Sequence, residues 1–356
     1  MDSATGTQHP TTHMRTEIMQ QPAALRATLD ALLPATSEIA ALGRQVRQVL
    51  FFARGTSDNA AVYGSYLIQT AAGRLASLGS PSVATEYRAS MDLAGVLAVC
   101  LSQSGKTQEI VQTLAWARDC GAKTVAVTND AQSPLAELAD VALITQAGIE
   151  RAVPATKTFT CQLVALAVLT IGLGASLDAT ELQRLPAAID ELLAEAASPQ
   201  YGLAELVAER AGVDGLVVSA RGFAYSAALE LALKIKEACY LHAMGLSYAD
   251  LQHGPIAVVD PQTPAIIMAA DSGPTLDAAV GLASRVTGAG ARAYAIGGGP
   301  ALAAVSSRWL AGPALPEWLA PIGLIVPGQL LTEMLSRRLG IDPDSPRVLS
   351  KVTQTA

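Results

Sequence analysis

At 356 residues, half of them apolar, 15% charged and only 4% aromatic, the chain can form two domains that each bury a core, and its wealth of Ala, Gly and Leu favours a packed α/β protein over a disordered or fibrous one. A formal net charge of -7 leaves no basic footprint for nucleic acid and no polybasic anchor for a membrane. Cys100, Cys120, Cys161 and Cys239 are widely spaced, with no CxxC and no histidine pair nearby, so reduced thiols are expected, with neither a disulfide scaffold nor a metal site and no cofactor.

The opening "MDSATGTQHPTTHMR" is polar and lacks the apolar segment of a secretory signal, so residues 1–15 read as a disordered extension and the location as cytoplasmic. "TEIMQQPAALRATLDALL" then reads as one amphipathic helix packed across a domain. Next come "VLFFARGTSDNAA" (49–61), "VLAVCLSQSGKTQE" (96–109) and "KTVAVTND" (123–130). Each is a short apolar run that ends in small polar residues before a helical pattern, the mark of βαβ units on a parallel sheet. The "GKT" of the second run invites a nucleotide P-loop, but the leading glycine of that pattern would fall at position 100, which is Cys100. What remains is a turn suited to an anion.

Residues 158–177, "TFTCQLVALAVLTIGLGASL", carry no charge. Their Thr, Ser, Gln and Gly content and the lack of flanking anchors make them a buried core helix rather than a membrane span. "DATELQRLPAAIDELLAEAASPQYGLAELVAERAG" follows as helices punctuated by Pro186 and Pro199, and the domain boundary is placed near residue 200. The first pattern then recurs as "GLVVSARGFAYSAA" (215–228), "PAIIMAADSGPTLD" (264–277) and "ARAYAIGGG" (291–299). From Ala53 to Ser104 is 51 residues and from Ala220 to Ser272 is 52. The expected layout is therefore a first domain over 16–200, a second over 201–340, and a polar, proline-bearing tail over 341–356 laid on the surface.

Ligands of doubly wound sheets sit at the carboxyl ends of the strands, against helix N-termini. "ARGTS" and "SQSGKT" fall at such ends and offer the hydroxyls of Thr56, Ser57, Ser102, Ser104 and Thr107, with amides opened by Gly55 and Gly105, a fit for one phosphate monoester. Either loop alone reads as helix capping; two together favour the phosphate. Along "YSAALELALKIKEACYLHA", Glu230, Lys234 and Glu237 share one helix face, which on pattern alone is equally a solvated salt-bridge stripe or a functional face. In "DLQHGP", His253 beside a Gly-Pro turn is either a surface group or a proton-transfer group.

Taken in order, "ARGTS", "SQSGKTQE", "AVPATKTF", "LELALKIKEACYLHA", "DLQHGP" and "PRVLSK" resemble the sugar isomerase (SIS) family in its glucosamine-6-phosphate synthase branch, from about Met14 to the C-terminus. The resemblance implies an α/β fold of two doubly wound, flavodoxin-like SIS subdomains with parallel sheets, and a site for an open-chain hexose phosphate. Gly55, Thr56, Ser57, Ser102, Gln103, Ser104, Thr107 and Val153 would bind the substrate. By the same resemblance Glu237 would move the proton between C1 and C2, Lys234 would support the intermediate, and Lys351 would meet the carbonyl carbon. His253 would open the ring, reaching in from the neighbouring subunit of a homodimer with shared sites. The residue types suit aldose-ketose chemistry, which needs a carboxylate near the carbon acid and a cation near the developing enediolate oxygen, and lysine can form a Schiff base with the ketose.

The chain departs from the branch at Ala155, where the pattern has serine, and at Met244 and Asp250, where it has glutamates. Asp2 stands where a glutaminase domain would have its cysteine, so glutamine hydrolysis is not expected. The expected activity is deamination of glucosamine 6-phosphate to fructose 6-phosphate and ammonia, with an ammonia-dependent synthase, a fructosamine-6-phosphate deglycase and a non-catalytic sugar-phosphate sensor as alternatives.

Overall fold

The computed structural model describes residues 11–351 apart from 211 and 214. Five parallel strands, β1 (Gln48–Phe52), β2 (Leu75–Leu78), β3 (Val96–Leu101), β4 (Lys123–Thr128) and β5 (Val141–Ile144), form one sheet in the order β2-β1-β3-β4-β5. A second sheet of β6 (Gly215–Ala220), β7 (His242–Ser247), β8 (Ala265–Ala269), β9 (Ala293–Gly297) and β10 (Arg308–Leu310) runs β10-β9-β8-β6-β7. Counted from its own first strand, the second order is the first over again, the flavodoxin-like arrangement whose switch point lies between the first and third strands. The sequence repeat is thus a repeat of topology, and the α/β expectation holds. Strand β3 is buried at all six positions, which is why it reads as an unbroken apolar run rather than an alternating one.

Three local expectations are corrected. The first amphipathic segment is two helices, His13–Met19 and Gln21–Leu32, hinged at Gln20, because Pro22 has no N–H for the preceding turn and suits a helix start. The first helix opens at His13, inside the stretch read as a disordered extension, with the Asp344 carboxylate accepting the N–H groups of His13 and Met14 at 2.7 Å each; residues 1–10 lie outside the described residues. Pro186 does not divide two helices. It sits within one, Ala179–Ala196, whose buried stripe of Leu182, Leu185, Ile189 and Leu193 holds it together across the missing hydrogen bond.

The uncharged segment becomes the helix Lys157–Gly172, buried along nearly its whole length. Among the described residues no helix is long and apolar enough to cross a membrane. The two sheets lie on either side of residue 200, while the helix Ala320–Arg338 packs on Tyr225–Cys239 of the second half, on the first helix and on Ala179–Ala196. All four cysteines are free thiols, and the described residues hold no cluster of metal-ligating side chains.

Candidate active site

The carboxyl ends of β1 and β3, neighbours in the sheet, open on a cavity of about 320 Å³. It is lined by Gly55, Thr56 and Ser57 after β1, by Ser102, Gln103, Ser104 and Thr107 after β3, by Val153, by Lys234 and Glu237 from the helix Tyr225–Cys239, and by Lys351 from the tail. Eleven of the twelve residues that the resemblance assigns to the site therefore meet in one place. His253 does not. It is exposed at the C-terminal end of the short helix Tyr248–Gln252 and is absent from the lining.

Backbone geometry explains the two glycine turns. Gly55 precedes the helix Thr56–Ala71 with φ 56°, and Gly105 has φ 62°, both costly for a residue with a side chain. At Gly105 a Cβ would also lie 2.1 Å from Ser133 Oγ, so the turn closes against the next loop only with glycine. Lys106, the lysine of the apparent P-loop, is turned to Asp130 at 2.9 Å, out of the cavity. The loop presents hydroxyls, not this lysine, to the cavity.

The charged stripe is not solvated. Glu230 and Lys234 are fully buried, and Lys234 Nζ lies 2.5 Å from Glu237 Oε2 and 3.4 Å from Glu230 Oε1. Lys234 donates to Thr56 Oγ1 at 3.1 Å, Thr56 Oγ1 donates to Glu230 Oε1 at 2.9 Å, and Asn59 donates to Glu230 Oε2 at 2.8 Å. The helix Tyr225–Cys239 of the second half is in this way tied to the first loop of the first half. Burial alone would lower the Lys234 pKa, but Glu230 and Glu237 outweigh it and hold the ammonium well above the usual lysine range. Burial raises Glu230, with Lys234 opposing. Lys234 is therefore a permanent cation beside Glu237, suited to stabilising an oxyanion and unsuited to nucleophilic attack.

Thr56 has its hydroxyl hydrogen committed to Glu230, so it can serve a phosphate only through its backbone N–H. Ser104 Oγ accepts from the Lys106 N–H at 3.2 Å and keeps its hydrogen for a ligand. Ser102 and Thr107 share a 3.4 Å hydroxyl contact.

Lys351 reaches the cavity from the tail and is held there by two acceptors. Its Nζ donates to Glu150 Oε2 and to the Ala152 carbonyl, both at 2.7 Å. Sequence reading missed Glu150, which nothing in "AGIERAV" distinguishes. Its buried carboxylate caps the helix Lys157–Gly172, accepting the N–H groups of Thr156 and Thr158 at 2.9 and 3.1 Å and the Thr158 hydroxyl at 2.6 Å. Burial pushes its pKa up, yet Lys351 and these donors prevail and hold it below the usual carboxylate range. Glu17, itself buried, clamps the same loop by accepting the N–H groups of Arg151 and Ala152. The tail is fixed by the Val153 N–H donating to the Asp344 carbonyl at 3.0 Å and by Arg347 stacking 4.3 Å above the Tyr240 ring.

Two flavodoxin-like halves that share one cavity, with strand-end loops from one and a charged helix from the other, define the class: a double α/β sandwich whose site straddles its halves. The SIS domain model matches residues 44–172 and 213–322, and the chain belongs to the SIS family. It is 34% identical over 352 residues to the glutamine--fructose-6-phosphate aminotransferase [isomerizing] of Methanothermobacter thermautotrophicus, covering 95% of this chain and 56% of that protein. The chain thus spans a little over half the length of that relative. Among solved structures, the C-terminal domain of glucosamine-fructose-6-phosphate aminotransferase from Francisella tularensis superposes with a TM-score of 0.86 at 27% identity, covering 97% of this chain and all of that one. The glucosamine-6-phosphate deaminase of Thermotoga maritima gives 0.78 at 22% over 97% of this chain and all of that one, a likeness that bears on the fold alone.

Proposed function

We propose that the chain converts glucosamine 6-phosphate and water to fructose 6-phosphate and ammonia. The observation that carries this is the pairing, in one cavity, of the hydroxyl loops with a carboxylate, Glu237, held 2.5 Å from the buried cation Lys234. The loops suit a phosphate monoester. With the sugar open, Glu237 takes the proton from C2 and returns it at C1, while Lys234 stabilises the negative charge that develops on O1. The product of that transfer is a 2-imine. Water adds at C2, the C–N bond breaks, and ammonia leaves with the proton it needs. The names of the relatives support the opposite direction, synthesis from fructose 6-phosphate and ammonia, at the same site.

Lys351, held at the cavity by Glu150 and the Ala152 carbonyl, meets the carbonyl carbon of the open sugar. His253, exposed and outside the lining, serves the cavity of a second copy in a homodimer and opens the ring there.

Purified protein incubated with glucosamine 6-phosphate should release ammonia and fructose 6-phosphate in equal amounts. Formation of glucosamine 6-phosphate from fructose 6-phosphate and ammonium, with no release in the other assay, would replace deamination by synthesis. Tight binding with no turnover in either assay would leave only a sensor.

A further inference from the structure

We propose that Gln162 is a positioning residue that aims the Ser57 hydroxyl at the phosphate of the ligand; this rests on reading the cavity as a phosphate site. Gln162 stands on the helix Lys157–Gly172 among Cys161, Leu163, Ala165 and Leu166, is 2% exposed and does not line the cavity. Its Nε2 donates to Ser57 Oγ at 2.9 Å, and its Oε1 meets no donor among the described residues. A buried amide left half unsatisfied on an otherwise apolar face is destabilising, so its retention calls for a reason.

The reason lies in the hydroxyl it touches. A serine has one hydrogen and two lone pairs. With a lone pair of Ser57 occupied by the amide from behind, its hydrogen is free for the cavity that Ser57 lines. The reverse orientation of the amide would draw that hydrogen into the core and strand both N–H donors there, against one N–H and the carbonyl oxygen in the orientation observed, and an orphaned N–H is the worse of the two. The neighbouring Thr56 shows the alternative: its hydrogen goes to Glu230 and its oxygen accepts from Lys234. Two adjacent hydroxyls are thus assigned opposite tasks by their buried partners, Thr56 to the catalytic helix and Ser57 to the ligand.

The test uses the full chain and measures binding by calorimetry, with inorganic phosphate and glucosamine 6-phosphate as probes, the phosphate arm being independent of turnover. Gln162→Met keeps the volume and removes the donor. It should weaken both probes about tenfold, the loss of one charge-assisted hydrogen bond, with KM rising more than kcat falls. In a Ser57→Ala background the same substitution should cost nothing further. Gln162→Glu keeps the shape but, when ionised, can only accept. It should bind phosphate more weakly than Gln162→Met at pH 8 and recover as the pH falls and its carboxyl gains a proton, a dependence that a purely packing role would not produce.

Wild-type phosphate affinity in either folded variant, or losses that simply add in the double mutant, would overturn the inference. A wild-type protein that binds neither probe would remove the inference together with the phosphate site. One that binds both yet releases no ammonia removes only the deaminase reading.

Discussion

At the scale of single residues, the site is organised by which groups can still give or take a proton. Lys234 cannot, since two carboxylates hold it as a cation. Glu237 lies beside it, its Oε2 in an ion pair with Lys234 and without a hydrogen bond among the described residues. Glu237→Gln preserves shape and removes the base, so substrate should still bind while turnover falls by roughly 10²- to 10⁴-fold. A variant within threefold of wild type would return Glu237 to the role of a salt-bridge partner. The same scale explains what the sequence hid. Spacing put Glu230, Lys234 and Glu237 on one helix face, but only burial distinguishes a functional face from a solvated stripe, and burial here depends on Thr56 and Asn59 from 171 residues or more away. Gln162 did leave a trace, as a large amide in a run of twenty uncharged residues, but the pattern could not say what it faced.

At the scale of elements, the loop after β5 and the C-terminal tail form one unit. Glu150 binds Lys351, Val153 binds the Asp344 carbonyl, and Glu17 holds the loop from behind. The folded-state pKa of Glu150 is depressed, so the stability it contributes is present above the ordinary carboxylate value and is lost as the pH falls through the depressed one. Glu17, raised by burial against the amides of Arg151 and Ala152, works in the opposite sense just above its ordinary value. Glu150→Gln should therefore destabilise the protein at pH 7 by about 3 kcal/mol, the low end for breaking a buried pair, since Lys351 is partly exposed, and should flatten the acid limb of the stability curve. Denaturant titrations at pH 7, 5 and 4 measure both effects; an unchanged acid limb would mean that Glu150 is not ionised in the native state. The tail was legible as a polar segment, and its family motif pointed at Lys351. Its partner was not, because a buried carboxylate that caps a distant helix leaves no periodicity.

At the scale of the whole molecule, the repeated topology was readable because strands buried on both faces give unbroken apolar runs that end where the chain turns to a helix. The hinge at Gln20 was missed although Pro22 signals it, because the apolar period carries across the break. His253 is the residue that one chain leaves out of its own cavity. If a second copy uses it, mixing inactive Glu237→Gln and His253→Ala subunits under exchange should restore about a quarter of the activity if they pair at random, through dimers with one intact site. No recovery despite proven exchange would favour a site completed within one chain.

The clasp between Asp344 and the first helix gives the tail a second property. Lys351 lies only seven positions after Asp344, so a tail that let go of the cavity would keep it within about 25 Å of that anchor, even fully extended. Lys351 would then be a tethered group, held near Glu150 at the millimolar local concentrations typical of short linkers. Its departure and return are intramolecular events, with rates set by the tether and insensitive to how dilute the protein is.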